Sequence, residues 1–359
     1  MASTSSTQTR LAGGQQGQPV DPAAPVIPPD LSNPLINEPA QANPPANDSP
    51  DALGPLVNFI GTWTNQNIGT SGRGGPQDPY SYNLMILPQV DDGDPPTEAP
   101  FGYILKSMSY YEEITFTPIH GSAANRGGLG TQVSNALLYE QRVYISDGPA
   151  KDMLVHFENG IWSNLTDMQQ MLGPYGNGNE PGIGNPPKYV PGSAPPTQQF
   201  PIFKQISVPH GNSVLACGAY GSANGSPQIN PPPQVLPSGI NTDIYSPPAS
   251  VQNLNPAYAL NPNTPLNEAL AAQEVVRFIR LDIDSQLGGG AVTNIGFEQQ
   301  SADVTRYYGT YWIEDTGSGA YTQLQYTQTI LLNIPITVGG TRTVVSFPHI
   351  TTNTLTKVG

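Results

Sequence analysis

Four histidines, His120, His156, His210 and His349, and one cysteine, Cys217, are the side chains of this 359-residue sequence best suited to metal ligation or nucleophilic work. No two of them stand at Cys-x-x-Cys or His-x-x-x-His spacing, which excludes a structural zinc site, and a lone thiol closes no intrachain disulfide. The glycine-rich strings GRGGPQ (72–77) and GGLG (127–130) lack the Lys-Ser/Thr of a phosphate-binding loop, and no G-x-S-x-G elbow is present. Asp91, Asp92 and Asp94 in VDDGDPP lack the further acidic positions of a calcium loop and read as a solvated turn. His349, in FPHITTNTL, shares one face of an extended segment with Phe347, Thr351 and Asn353. An inward imidazole there would offer a nitrogen lone pair to a metal ion, and the competing reading is a histidine that hydrogen-bonds within a polar rim. His156, in MLVHFENGIW, is followed by Glu158 and Gly160, which read as stabilisers of a strand end; His210 (VPHGNS) and His120 (PIHGS) read as solvated turn residues.

These residues need a scaffold, and its nature follows from composition. The 40 prolines and 38 glycines among 359 residues argue against a mainly helical chain. Short runs rich in β-branched and aromatic residues supply about ten strands instead: 81–87, 110–119, 135–145, 152–162, 203–209, 213–221, 275–284, 302–315, 320–336 and 342–358. Alternation is clean in 275–283, where Val275, Arg277, Ile279, Leu281 and Ile283 face one way and Val276, Phe278, Arg280 and Asp282 the other. A half-buried antiparallel meander of this length is best accommodated as a closed barrel, which removes exposed edges. The predicted fold class is therefore all-β, an antiparallel meander closed into a β-barrel of about ten strands with long Pro/Gly-rich loops. Tyr307, Tyr308, Tyr311 and Trp312 divide between the two faces, and Trp63 reads as a plug at the closed end of the barrel.

Prolines mark the rest of the organisation. Ten of them fall between 19 and 50, among Ala, Asn and Gln, so residues 1–50 read as a disordered or extended arm. Residues 51–359 then form the barrel domain, interrupted by irregular insertions at about 164–200 and 222–265, which carry seven and ten prolines. A short helical turn is expected in NEALAAQEVV (267–276). With 13 basic against 27 acidic residues, a net charge of −14, nucleic acid and anionic membrane surfaces are poor partners. No secretory h-region and no membrane-spanning apolar stretch is seen, so the expected compartment is the cytoplasm.

Five strings occur in a telling order: FIGTW (59–63), YEEITF (111–116), LLYEQRVYISDG (137–148), MLVHFENGIW (153–162) and PHITTNTLTKV (348–358). This order resembles the nitrobindin family of small heme-binding β-barrels, which are lipocalin-like in architecture. The resemblance implies that Gly61 and Trp63 match the G-x-W motif that opens the barrel. Asn65 and Asn67 stand where the motif's next two glycines would be, and Gly69 is the candidate for a displaced last one. It implies also that His156, Glu158 and Gly160 match an H-x-E-x-G turn, and that His349 matches the axial iron ligand. On that footing the cofactor is heme b, the metal ligand is His349, and Gly61, Thr62 and Trp63 border the heme. The implied chemistry is binding or conversion of small reactive nitrogen or oxygen species, with nitric oxide and the isomerisation of peroxynitrite to nitrate as the specific cases, or a peroxidase-like reaction. Two alternatives stay open: a heme-free lipocalin-like barrel for a small hydrophobic ligand, and a structural protein assembling through its Pro-rich arm, for which arm and insertions are the candidate homo-oligomer contacts.

Overall fold

The computed structural model describes residues 50–65, 81–88, 103–106, 110–121, 123–124, 132–146, 148–167, 200–238, 258, 260–338 and 341–358. Outside these lie the arm (1–49), residues 168–199 and 239–257 of the two insertions, Asn67, Gly69 and the GRGGPQ, GGLG and VDDGDPP strings. The strands are β1 (Gly61–Thr64), β2 (Ser81–Pro88), β3 (Tyr103–Lys106), β4 (Tyr110–Pro118), β5 (Ala123–Ala124), β6 (Gln132–Ile145), β7 (Leu154–Asp167), β8 (Ile202–Ser207), β9 (Asn212–Asn224), β10 (Arg277–Asp284), β11 (Ala291–Asn294), β12 (Asp303–Asp315), β13 (Gln323–Val338) and β14 (Thr341–Lys357). A 3-10 helix (Pro50–Phe59) precedes them, and α1 (Thr264–Ala271) and α2 (Gly296–Ser301) fall within the series.

Ten strands close an antiparallel barrel in the order β1-β4-β6-β7-β8-β9-β10-β12-β13-β14, and β14 returns to β1 through Trp63↔Lys357 and Thr64↔Thr356. The expected closed barrel is thus present. Nine of its staves are strands read from the sequence; the tenth is β1, only four residues long, too short for alternation to reveal. The segment 81–87 is instead β2, outside the ring: it pairs with β14 from His349↔Met85 to Asn353↔Ser81 and carries β3 on its other edge. One strand, β14, therefore serves two neighbours on the same side, β1 along its last residues and β2 along its middle.

Period-two alternation fills the interior. Ile279, Leu281 and Ile283 of β10 point inward, as the pattern predicted, and join one cluster with Ile114, Phe116, Leu137, Trp162 and Leu355. The 3-10 helix plugs one end. Its Leu53, Leu56 and Phe59 are buried in that cluster, with the Phe59 ring 4.8 Å from Phe116 and 5.3 Å from Trp162. The helix kinks at Gly54, whose φ of +56° favours glycine and where a Cβ would stand 2.7 Å from Nδ2 of Asn164. On the outside, α1 lays Leu266 over Trp312, beside Ile229 and Phe278, so part of the outer wall is also covered. The expected helical turn in 267–276 is the second half of α1. Residues assigned to irregular insertions partly extend strands: 164–167 complete β7 and 222–224 complete β9. Among the described residues no helix is long and apolar enough to cross a membrane.

Candidate functional site

Strand register places an unusual set of polar groups inside the barrel. On β8, Ile202, Lys204 and Ile206 share the inward face, so a lysine occupies a core position. On the same inward face of β7, four residues along from Trp162, the register partner of Lys204, stands Glu158, and the Lys204 and Glu158 side chains, 3% and 6% exposed, form an ion pair at 3.4 Å. Lys204 has three N–H donors and spends them on Glu158, on Tyr307 Oη at 3.1 Å and on Tyr311 Oη at 3.0 Å. The two tyrosine oxygens are 2.7 Å apart, and both lie within hydrogen-bond distance of Oε1 of Gln328. Tyr139 donates to Glu158 at 2.9 Å, and His156 approaches the other carboxylate oxygen at 3.4 Å. The rings of Tyr139, Trp162, Tyr307 and Tyr311 surround the ammonium at 5.0 to 5.5 Å. Burial pushes the Glu158 carboxyl up, but Lys204, His156 and Tyr139 together bring it down to about 2. Burial pulls Lys204 down, and Tyr311 and Glu158 more than offset it, so the pair is charged.

A second carboxylate lies on the β4 side. Glu112 is fully buried and accepts from Tyr326 at 2.7 and 2.8 Å and from Gln141 at 3.0 Å. No cation faces it. Burial raises it to about 7, against the hydrogen bonds from Tyr326, Asn353 and Gln141. Tyr326 stacks on Tyr311 at 5.4 Å and thereby links the two clusters.

His349 stands four residues from Asn353 along β14, about 13 Å at the rise of a strand. Register pairs it with Ile330, which pairs with Tyr307, so all three occupy the interior face. The imidazole hydrogen-bonds to the backbone of Ile86, and Nε2 is buried without a partner among the described residues. The bond to a carbonyl therefore uses Nδ1–H, which leaves a free lone pair on Nε2. Burial lowers the group to about 4, so it is neutral at pH 7.

Gly61, Thr62 and Trp63 are not brought together with His349. Trp63 pairs with Lys357, eight residues along β14 from His349, about 26 Å of strand. Trp63 is fully buried at the plugged end, as read from the sequence, with Nε1 donating to the Phe59 carbonyl at 2.6 Å. Thr62 bonds the Thr115 hydroxyl at 3.0 Å. Gly61 has φ +120° where the chain enters β1, a geometry suited to glycine. These three residues build the floor, because they begin the strand that closes against the far end of β14. Asn65, standing where a motif glycine would be, is buried and accepts the Glu112 backbone N–H at 2.8 Å.

The H-x-E-x-G string is not a turn or strand end. His156, Glu158 and Gly160 lie within continuous β7, and a Cβ at position 160 would stand 1.9 Å from the Gln205 carbonyl oxygen. Close packing of β7 on β8 demands that glycine. His210 is exposed beside His156, ring centroids 5.2 Å apart; His120 is exposed and Cys217 buried. Of the aromatic group, Tyr307 and Tyr311 face inward while Trp312 faces out beneath α1.

Lys204, Glu112, Tyr139 and Gln328 were not singled out in the sequence. The available signal was a charged residue in register with apolar neighbours: Ile202-Lys204-Ile206, and Tyr110-Glu112-Ile114-Phe116. Among the described residues no three His, Cys, Asp or Glu side chains converge as a metal site. Of the residues expected to hold a cofactor, His349 alone presents a free ligand atom.

Fold and site together define a closed ten-stranded antiparallel barrel, consistent with a calycin-like fold, whose core carries a buried ion pair. In comparisons with known proteins, no family model, no curated protein and no solved structure matches the chain.

Proposed function

We propose that this barrel binds heme b through His349 and acts on small reactive nitrogen or oxygen species, nitric oxide and peroxynitrite among them. The state of the imidazole carries the reading: neutral, held by a backbone carbonyl at one nitrogen, with a buried and unpartnered Nε2 at the other. That is the donor a ferric or ferrous porphyrin requires, with the orienting acceptor already in place. Iron so held supplies Lewis-acid chemistry toward a small nitrogen oxide. The chain would contribute the ligating Nε2 of His349, the Ile86 carbonyl that fixes its tautomer and the apolar side chain of Ile330 on the same face.

A second reading, a heme-free barrel for a small apolar ligand, is favoured by one observation: Gly61, Thr62 and Trp63 form the floor rather than a border around His349. Titration of the purified protein with hemin separates the two. A sharp Soret band that is lost in His349→Ala supports the first. No band shift, or the same band in the variant, overturns it; saturable binding of an apolar fluorescent probe that hemin does not displace would then support the second.

A further inference from the structure

The outer wall holds a separate feature. A groove of about 390 Å³ runs between the extended segment Gln228–Pro233 and the outward faces of β10, β12 and β13. Its volume falls in the range of small-molecule sites. The floor is three cross-strand rows: Arg280, Trp312 and Gln325; Asp282, Thr310 and Thr327; Asp284, Tyr308 and Thr329. All but Gln325 line the groove, and Asn263, which precedes α1, closes one end.

Four lining residues carry buried polar atoms without a partner among the described residues; one is Oη of the half-buried Tyr308, and the other three sit on side chains at least nine-tenths buried: Nε1 of Trp312, Oγ1 of Thr327 and Oδ1 of Asn263. These three residues are 3%, 9% and 1% exposed. Asn263 is not simply an unused helix cap. Its Nδ2 donates to the Asn230 carbonyl at 2.7 Å, which fixes the amide with its oxygen left over. The three atoms differ in kind: the indole N–H only donates, the amide oxygen only accepts, and the hydroxyl does both. A ligand satisfying all three must itself offer donors and acceptors.

Charge narrows the class. Arg280 pairs with Asp282, which also accepts from Thr310 at 2.7 Å, and Arg306 pairs with Asp284. Two guanidiniums against two carboxylates leave the groove neutral, so neither anion nor cation is selected. The Pro231–Pro233 rings supply apolar walls opposite a polar floor. We infer that this groove is a binding site for a neutral polyhydroxylated molecule, a sugar unit presented either free or at the end of a glycan. Hydroxyls that donate and accept suit the three unmet atoms, and C–H faces suit the proline rings.

The test uses the full chain. Wild type, Thr327→Val and Trp312→Phe are titrated by saturation-transfer NMR with glucose, galactose, mannose and their common disaccharides, and applied to an immobilised glycan array. Thr327→Val keeps shape on a β-strand, and Trp312→Phe keeps a ring while removing the N–H; thermal melts of both establish folding. Saturable binding weakened about tenfold in folded Thr327→Val, the loss of roughly one hydrogen bond, supports the proposal. Free sugars or the array alone responding identifies the source. No saturable binding of any sugar, binding unchanged in Thr327→Val, or a crystal structure in which the three atoms bond only ordered waters in the presence of sugar overturns it.

Discussion

Two carboxylates lie inside the same barrel, both with almost no exposed surface, and they differ in charge. On the β7/β8 side, Glu158 is held at about 2 by Lys204 and its neighbours; on the β4 side, Glu112 is raised to about 7 with only neutral donors around it. Both accept a tyrosine hydroxyl at comparable distances, 2.9 Å for Glu158 and 2.7 Å for Glu112. Burial therefore does not decide the protonation state. The presence of a cation within 4 Å does, and among the described residues it is found at Glu158 and not at Glu112.

The most severe break in this comparison is removal of that cation. Lys204→Met leaves the buried Glu158 without its lysine, with an expected loss of about 3–5 kcal/mol of stability in urea denaturation. Adding Glu158→Gln should restore a substantial part, since the uncompensated charge is gone; equal losses in single and double variants would mean that lysine packing, not pairing, matters. Next comes pH. Glu112 rises from an ordinary 4.5 to about 7, so the folded state binds the extra proton and stability falls as pH rises through that window, then levels above it. Glu112→Gln should abolish that fall, becoming relatively more stable by on the order of 3 kcal/mol from pH 4.5 to 7. Glu158 has the opposite sign: its contribution is present above the ordinary carboxylate range and is lost as pH drops toward about 2. A wild-type profile without a decline between 4.5 and 7 would remove the distinction between the two sites. Tyr139→Phe takes one hydrogen bond from Glu158 while Lys204 remains, with an expected cost of about 1–2 kcal/mol by thermal melt. Smallest is Glu140→Gln on the outer face of β6, where the side chain is 52% exposed and the effect should stay within about 0.5 kcal/mol.

The ring of strands was legible because alternation survives in β10, β12 and β13, and Trp63 was legible as a plug at the closed end, whereas the 3-10 helix packed beside it was not. For His349 alternation showed only which residues share its face, Phe347, Thr351 and Asn353, and left open whether that face points inward. The ion pair was not, since its partners are 46 residues apart and meet only because β7 and β8 pair with Trp162 opposite Lys204. Tyr326 reaches Glu112 across 214 residues, a meeting set by closure that no local pattern encodes. The H-x-E-x-G string misled because a glycine inside a strand looks like a stop; here it answers to the carbonyl of Gln205 on the next strand. Gly61, Thr62 and Trp63 were placed beside His349 by resemblance alone, and strand length separates them.

The seam between β1 and β14 also orders events in time. Trp63 must wait for Lys357, its partner across 294 positions of chain, so the ring stays open during synthesis until residues 341–357 have left the ribosome. Until then the inner face is that of an open sheet, whose apolar rows are interrupted by Glu112 on β4, Glu158 on β7 and Lys204 on β8.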